Sequence, residues 1–270
     1  MQSLLISTEV AGIKIMSKLP KEYQFIDLSD YGRPIARIIA NSLKNTAFTP
    51  VHLTIGFVIS GLLAILCILN HYYWATAFFL ILKSILDAAD GELARIKNQP
   101  SYTGRYLDSV SDIILNLLIL ITIWYVTDGS IAYTILAFIG LQLQGTLYNY
   151  YYVILRKRHN GDTTSRVFER KAPRAMSGEK QGTVNFLFRL YSILYGLFDR
   201  TIYGLDRRAV ESQNLPNWFM TAVSTFGLGF QLLIIGIMLI CNLESYIIPF
   251  FIGYSLFIFL FIAIRRKLNR

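Results

Sequence analysis

The sequence predicts an all-α, polytopic membrane protein: a six-transmembrane-helix bundle with amphipathic surface helices on the cytoplasmic side. Three observations predict it. Hydrophobic residues make up 54% of the chain and charged residues only 16%, where ordinary soluble domains carry about 25% charged residues. The apolar residues fall in blocks of membrane length. Of the 26 Lys and Arg residues, all but Lys83 fall in the terminal segments or in alternate connections between those blocks.

A bilayer core needs roughly 20 apolar residues per helix. The runs 51–70, 72–89, 106–126, 131–154, 218–241 and 245–264 meet that length. They are continuous rather than alternating, which favours helices over a closed β-barrel, the other structure able to span a bilayer. The connections at His71, Thr127–Ser130 and Asn242–Glu244 contain no Lys or Arg. The first fifty residues contain 6, the long connection 156–215 contains 12, and the tail 265–270 contains 4; the link around Arg95 has 4 when Lys83 is counted with it. The positive-inside rule therefore puts both termini and the basic connections in the cytoplasm. Residues 1–29 read as a cytoplasmic N-terminal segment and 30–270 as a single membrane domain. The formal charge of +9 fits topogenic signals and anionic headgroups, and no nucleic acid partner is expected. Cys67 and Cys241 sit in apolar runs and suggest neither a disulfide framework nor a metal site. The first twenty residues lack a signal-peptide pattern.

The remaining elements follow in order. Ahead of the first span, Asp30 is placed to cap a short helix with Pro34 in its first turn. Ile35, Ile38, Ile39 and Leu43 fall on one face of that helix. In the long connection, Leu187, Leu190, Tyr191, Leu194, Phe198, Ile202 and Leu205 recur at helical spacing. Both segments read either as amphipathic helices on the membrane surface or as helices packed on the bundle. Arg166, Arg170, Lys171, Arg174 and Lys180 lie in a polar stretch that serves topology or clamps a phosphorylated substrate. Gly227 and Gly229 interrupt the fifth span, where close helix packing explains them.

Four carboxylates break the apolar pattern, and ionisable groups in or beside spans are costly. Asp87 and Asp90 are three residues apart and share a helix face, which Ala94 continues. Asn98-Gln99-Pro100 breaks that helix. Gly104, Asp108 and Asp112, spaced by four, share a face of the next. A turn makes the two helices antiparallel, so their acidic faces can meet. Asp87 lies about 22 Å along its span from the outer side and Asp112 about 9 Å from the inner side, at 1.5 Å per residue. In a core of ~30 Å the two depths agree. Carboxylates so gathered need protons or a cation, and hard oxygen ligands favour Mg²⁺, Mn²⁺ or Ca²⁺ over zinc. Four could bridge two ions, an arrangement suited to displacement at phosphorus. Arg95 supplies a planar donor for phosphate, and Gly91 and Gly104 leave room for a nucleotide.

The set Asp87-x-x-Asp90-Gly91-x-x-Ala94-Arg95, eight residues, Gly104, three residues, Asp108, three residues, Asp112 resembles the signature of the CDP-alcohol phosphatidyltransferase family at every position. The resemblance implies six transmembrane helices, frequent dimerisation, and transfer of a substituted phosphate from a CDP-linked donor to an alcohol acceptor with release of CMP. It implies that one of the two reactants is a lipid and that the cofactor is Mg²⁺ or Mn²⁺, one or two ions. Asp87, Asp90 and Asp108 resemble the ligands of a first ion; Asp87, Asp108 and Asp112 resemble those of a second. Asp112 resembles the general base. Gly91, Ala94, Arg95 and Gly104 resemble nucleotide-contacting positions. Many relatives open the first span with Pro-Asn-x-x-Thr; here Pro50-Val51-His52-Leu53-Thr54 keeps Pro and Thr, leaving Thr54 as a candidate contact. Glu92 makes the motif similar to that of relatives handling inositol phosphates. A cation transporter or channel built on the Asp cluster is the alternative from another class, and it expects a site near the midplane on broken helices.

Overall fold

The computed structural model describes Leu19, residues 23–159 and residues 171–269. The predicted segment 1–29 lies largely outside these residues, as do Arg166 and Arg170 of the basic loop. Among the described residues the protein is all-helical, without strands. A 3₁₀ turn, Leu28–Asp30, precedes α1 (Arg33–Leu43), α2 (Pro50–Leu69), α3 (Tyr73–Ile96), α4 (Tyr102–Thr127), α5 (Ile131–Arg158) and α6 (Gln181–Leu205). There follow a 3₁₀ helix Arg207–Glu211, α7 (Asn217–Val223), a 3₁₀ turn Ser224–Phe226, α8 (Leu228–Ile240), α9 (Glu244–Tyr254) and α10 (Phe257–Leu268).

Four stretches are long and apolar enough to cross a membrane: α2, α4, α5 and Glu244–Leu268, which joins α9 and α10. The α7–α8 pair is a fifth, bent by 55° at its break. The protein is thus a polytopic membrane protein. The predicted second span, α3, has 24 residues, but it carries Lys83, Asp87, Asp90, Glu92 and Arg95.

Left-handed residues close the tight helical hairpins. His71, Asn98, Asp128 and Asn242 have φ between 48° and 57°, a region in which Asn, Asp and His are enriched among non-glycine residues. At the end of α3, Gln99 N–H bonds the Ala94 carbonyl at 2.9 Å and Asn98 N–H bonds the Arg95 carbonyl at 3.1 Å, the double bond of a Schellman stop. Ser101 then accepts from Gly104 N–H at 2.8 Å and starts α4. The predicted Asn98-Gln99-Pro100 break is therefore a stop and a start three residues apart.

Two predictions need correction. The fifth span is not one helix over 218–241. Gly227 is extended (φ −71°, ψ 150°), and the N-terminal 3₁₀ turn fills the elbow. A Cβ on Gly229 would fall 1.9 Å from the Ser29 carbonyl oxygen, and Leu28 N–H donates to Ser224 Oγ at 2.9 Å. The two glycines do permit close packing, but against that turn as well as against Ser84 of α3. Nor does Asp30 cap α1. Gly32 is the N-cap and makes no side-chain bond, while Asp30 pairs with Arg33. The residues of α1 that bury are Ala36 and Ala40, with Ile39 and Leu43 partly buried against α3; Ile35 and Ile38 are exposed.

The main apolar cores lie away from the carboxylates. One joins Leu80, Leu120, Leu141, Leu232 and Phe251 across α3, α4, α5, α8 and α9. Another gathers Tyr151, Phe219, Phe226 and Phe261 from α5, α7–α8 and α10. Two smaller clusters flank the carboxylates. Ala36, Ala40, Leu53, Ala89 and Leu93 tie α3 to α1 and α2. Tyr106, Val184 and Leu187 tie α4 to α6. Helix α2 packs on both α3 and α4, whereas α3 and α4 are not packed closely on each other. The two acidic helices thus meet their neighbours more closely than they meet each other.

Candidate active site

The space between α3 and α4 holds the predicted constellation. Asp87 and Asp90 project from α3 and Asp108 from α4, and oxygens of the three lie within 4.8 Å of one another. Asp90 is buried, and Thr54 of α2 donates to its Oδ2 at 2.7 Å. Thr54 therefore contacts a carboxylate, one turn into the helix that opens at Pro50. Asp108 Oδ1 is buried without a hydrogen-bond partner. Crowded carboxylates with an orphaned acceptor fit a bound cation. The all-oxygen donor set fits a hard ion such as Mg²⁺ or Mn²⁺.

Asp112 lies outside that triad. Its Oδ1 stands 2.5 Å from the Lys83 ammonium. The Lys83 side chain is 0% exposed and its Nζ lies 4.9 Å from the centre of the Phe57 ring. Counted with the topogenic residues of the inner link, Lys83 is instead a buried ion-pair partner. A signal was present: it precedes Asp87 by four residues and so shares its helix face.

One turn further along α3, Glu92 gathers cations. Its Oε1 lies 2.5 Å from Arg33 Nη1, 3.2 Å from Arg95 Nη2 and 3.6 Å from Arg37 Nε. Arg95 is itself largely buried, and its Nε and Nη2 lack hydrogen-bond partners. The guanidinium lies beside Gly91, where a Cβ would stand 3.6 Å from Nη1. Ala94 is half-buried beside it on α3. Asp108 Oδ1, an orphaned acceptor, and Arg95, whose Nη2 has only the Glu92 ion pair and whose Nε has no partner, thus mark the site: one suits a cation, the other an anion such as phosphate.

Gly104 sits at the start of α4, with Ser101 Oγ 3.3 Å from where a Cβ would be. Glu179, from the described part of the basic loop, accepts from Ser101 Oγ and Thr103 N–H at 2.7 Å each and from Met176 N–H at 3.0 Å. Burial works against the charged form of Glu179, but these bonds prevail and depress its pKa. The loop is thereby fastened to the start of α4 by its acidic residue, which the sequence reading passed over among Lys and Arg. Tyr195 of α6 donates to the Ser109 carbonyl at 3.0 Å, between Asp108 and Asp112 in the chain.

The profile of the CDP-alcohol phosphatidyltransferase family matches residues 47–247, from the start of α2 into α9. The chain belongs to the CDP-alcohol phosphatidyltransferase family. Its activity is accordingly transfer of the CDP-alcohol type, in phospholipid synthesis broadly, with CDP-linked and alcohol substrates. No curated protein matches the chain.

Proposed function

We propose that this CDP-alcohol phosphatidyltransferase transfers a substituted phosphate from a CDP-linked donor to an alcohol at the cytoplasmic membrane boundary, one of the two reactants being a lipid. The observation that carries the reading is the meeting of three carboxylates within 4.8 Å on the same two helices that present an under-bonded Arg95. Asp87, Asp90 and Asp108 would hold a divalent ion, Mg²⁺ or Mn²⁺. When bound, the ion offsets charge on the pyrophosphate and steadies the departing CMP. Arg95, steered by Glu92, donates to phosphate oxygens and opposes charge that grows as the bond to CMP breaks. Gly91 and Gly104 keep the nucleotide's approach clear of side chains.

Asp112 acts as the base. Lys83 occupies Oδ1, which leaves Oδ2 to take the proton of the attacking hydroxyl. The hydroxyl oxygen bonds to the phosphorus bearing the donor's alcohol group, the bond from that phosphorus to the bridging oxygen breaks, and CMP leaves with the electron pair. In this reading α3 is the remaining span of six. It is tolerated in the bilayer because Lys83 pairs with Asp112 of α4, and Glu92 pairs with Arg95 and with Arg33 of α1.

The test is CMP release by the purified protein in detergent, with a panel of CDP-linked lipids and CDP-alcohols against lipid and soluble acceptors. Release in Mg²⁺ or Mn²⁺ and loss with chelator are expected. Asp112→Asn should lower turnover at least 100-fold, in line with loss of a general base, while CDP-donor binding survives. No CMP from any pairing, or wild-type turnover by Asp112→Asn, would sink the reading.

A further inference from the structure

The geometry points to Lys83 as a built-in replacement for a second metal ion, so that the site holds one divalent cation per chain. The inference rests on the reading of Asp87, Asp90 and Asp108 as an ion site, and it deepens that reading by fixing the stoichiometry.

Three observations carry it. First, the triad whose oxygens converge omits Asp112. Second, the Asp112 oxygen that a second ion would need is taken by Lys83 at 2.5 Å. Third, Lys83 precedes Asp87 by four residues on α3 and so shares its helix face, which puts it on the side of α3 that presents the triad. Paired ions in such sites lie about 3.5–4 Å apart, with oxygen ligands at about 2.0–2.1 Å for Mg²⁺. A second ion ligated by Asp112 would be forced against a fixed positive charge in a poorly screened setting.

Lys83 is not free to withdraw. Its side chain has no solvent exposure, and the Phe57 ring stands over the ammonium. Leaving Asp112 would strand a charge with no water to receive it. Charge balance agrees: one divalent ion and Lys83 supply three positive charges to four carboxylates, whereas a second ion would make five before any substrate entered.

The experiment counts ions directly. Full-length protein in detergent is equilibrated with Mn²⁺, and bound manganese per chain is measured, with electron paramagnetic resonance to detect spin coupling between neighbouring ions. Wild type is expected to hold one Mn²⁺ without coupling. Lys83→Met, checked for folding by its melting temperature, is expected to hold two, with a coupled signal. The double variant Lys83→Met/Asp112→Asn removes both charges and is expected to return to one. Two ions in wild type overturn the inference whether or not Lys83→Met folds, as does a single ion in folded Lys83→Met or two in the double variant. The metal reading itself fails in a different way: no ion bound to any of the three proteins, with CMP release persisting in metal-free buffer.

Discussion

Thr54 shows how one hydroxyl ties the first span to the site. It donates to Asp90 Oδ2 at 2.7 Å and also reaches the Pro50 carbonyl at 3.3 Å. Asp90 thereby has one oxygen fixed, and its orientation toward Asp87 and Asp108 is set from α2. Groups that orient metal ligands in this way change ion affinity by about 10–100-fold when removed. Thr54→Val is therefore expected to weaken Mn²⁺ binding about 10-fold with the fold retained; unchanged affinity in a titration would remove the orienting role. The carboxylates and Arg95 were legible in the sequence because helical spacing alone puts them on two faces. Lys83, the most deeply buried charge of the site, was only half legible: its place four residues before Asp87 put it on that face, but its ion-pair partner lies 29 positions away. Glu92 was legible as a motif variant, and its contact with Arg95 is local to α3, yet its contacts with Arg33 and Arg37 depend on α1 lying against α3.

At the scale of elements, the site is framed by helix ends. The start of α4 is capped twice, by Ser101 and by Glu179 from a loop more than seventy residues later. A carboxylate at a helix N-terminus is worth up to about 1 kcal/mol. Glu179→Gln is expected to lose about that much stability, read as a lower melting temperature. Because the folded pKa of Glu179 is depressed, its contribution is complete above the ordinary carboxylate pKa and disappears as pH falls through the lower folded value. The gap between wild type and variant should therefore be constant near neutrality and close below about pH 4; a gap that persists in acid would count against the cap. The stop at Asn98 was readable from Asn-Gln-Pro, since turn chemistry is local. The break at Gly227 was not, because it accommodates Ser29, some two hundred residues earlier in the chain.

Across the whole molecule, basic residues are unevenly distributed: the connections at His71, Asp128 and Asn242 hold no Lys or Arg, which gather in the termini and the other connections. The predicted orientation is tested by labelling with a membrane-impermeant maleimide, in a background with Cys67 and Cys241 replaced by Ser. Asp128→Cys should be labelled in intact cells and Lys267→Cys only after permeabilisation; the reverse pattern would invert the topology. The apolar run lengths anticipated α2 and α5 to within a few residues, because bilayer thickness imposes a local rule. They did not anticipate that α2 would pack on both α3 and α4 while those two are not packed closely on each other, which depends on contacts between helices. That arrangement bears on how the protein is made. The four aspartates, Lys83 and Arg95 all belong to one helical hairpin, so the site needs only short-range loop closure. Once α3 and α4 have entered the bilayer together, with α2 already inserted ahead of them, the carboxylate cluster can assemble while most of the C-terminal half is still being synthesised.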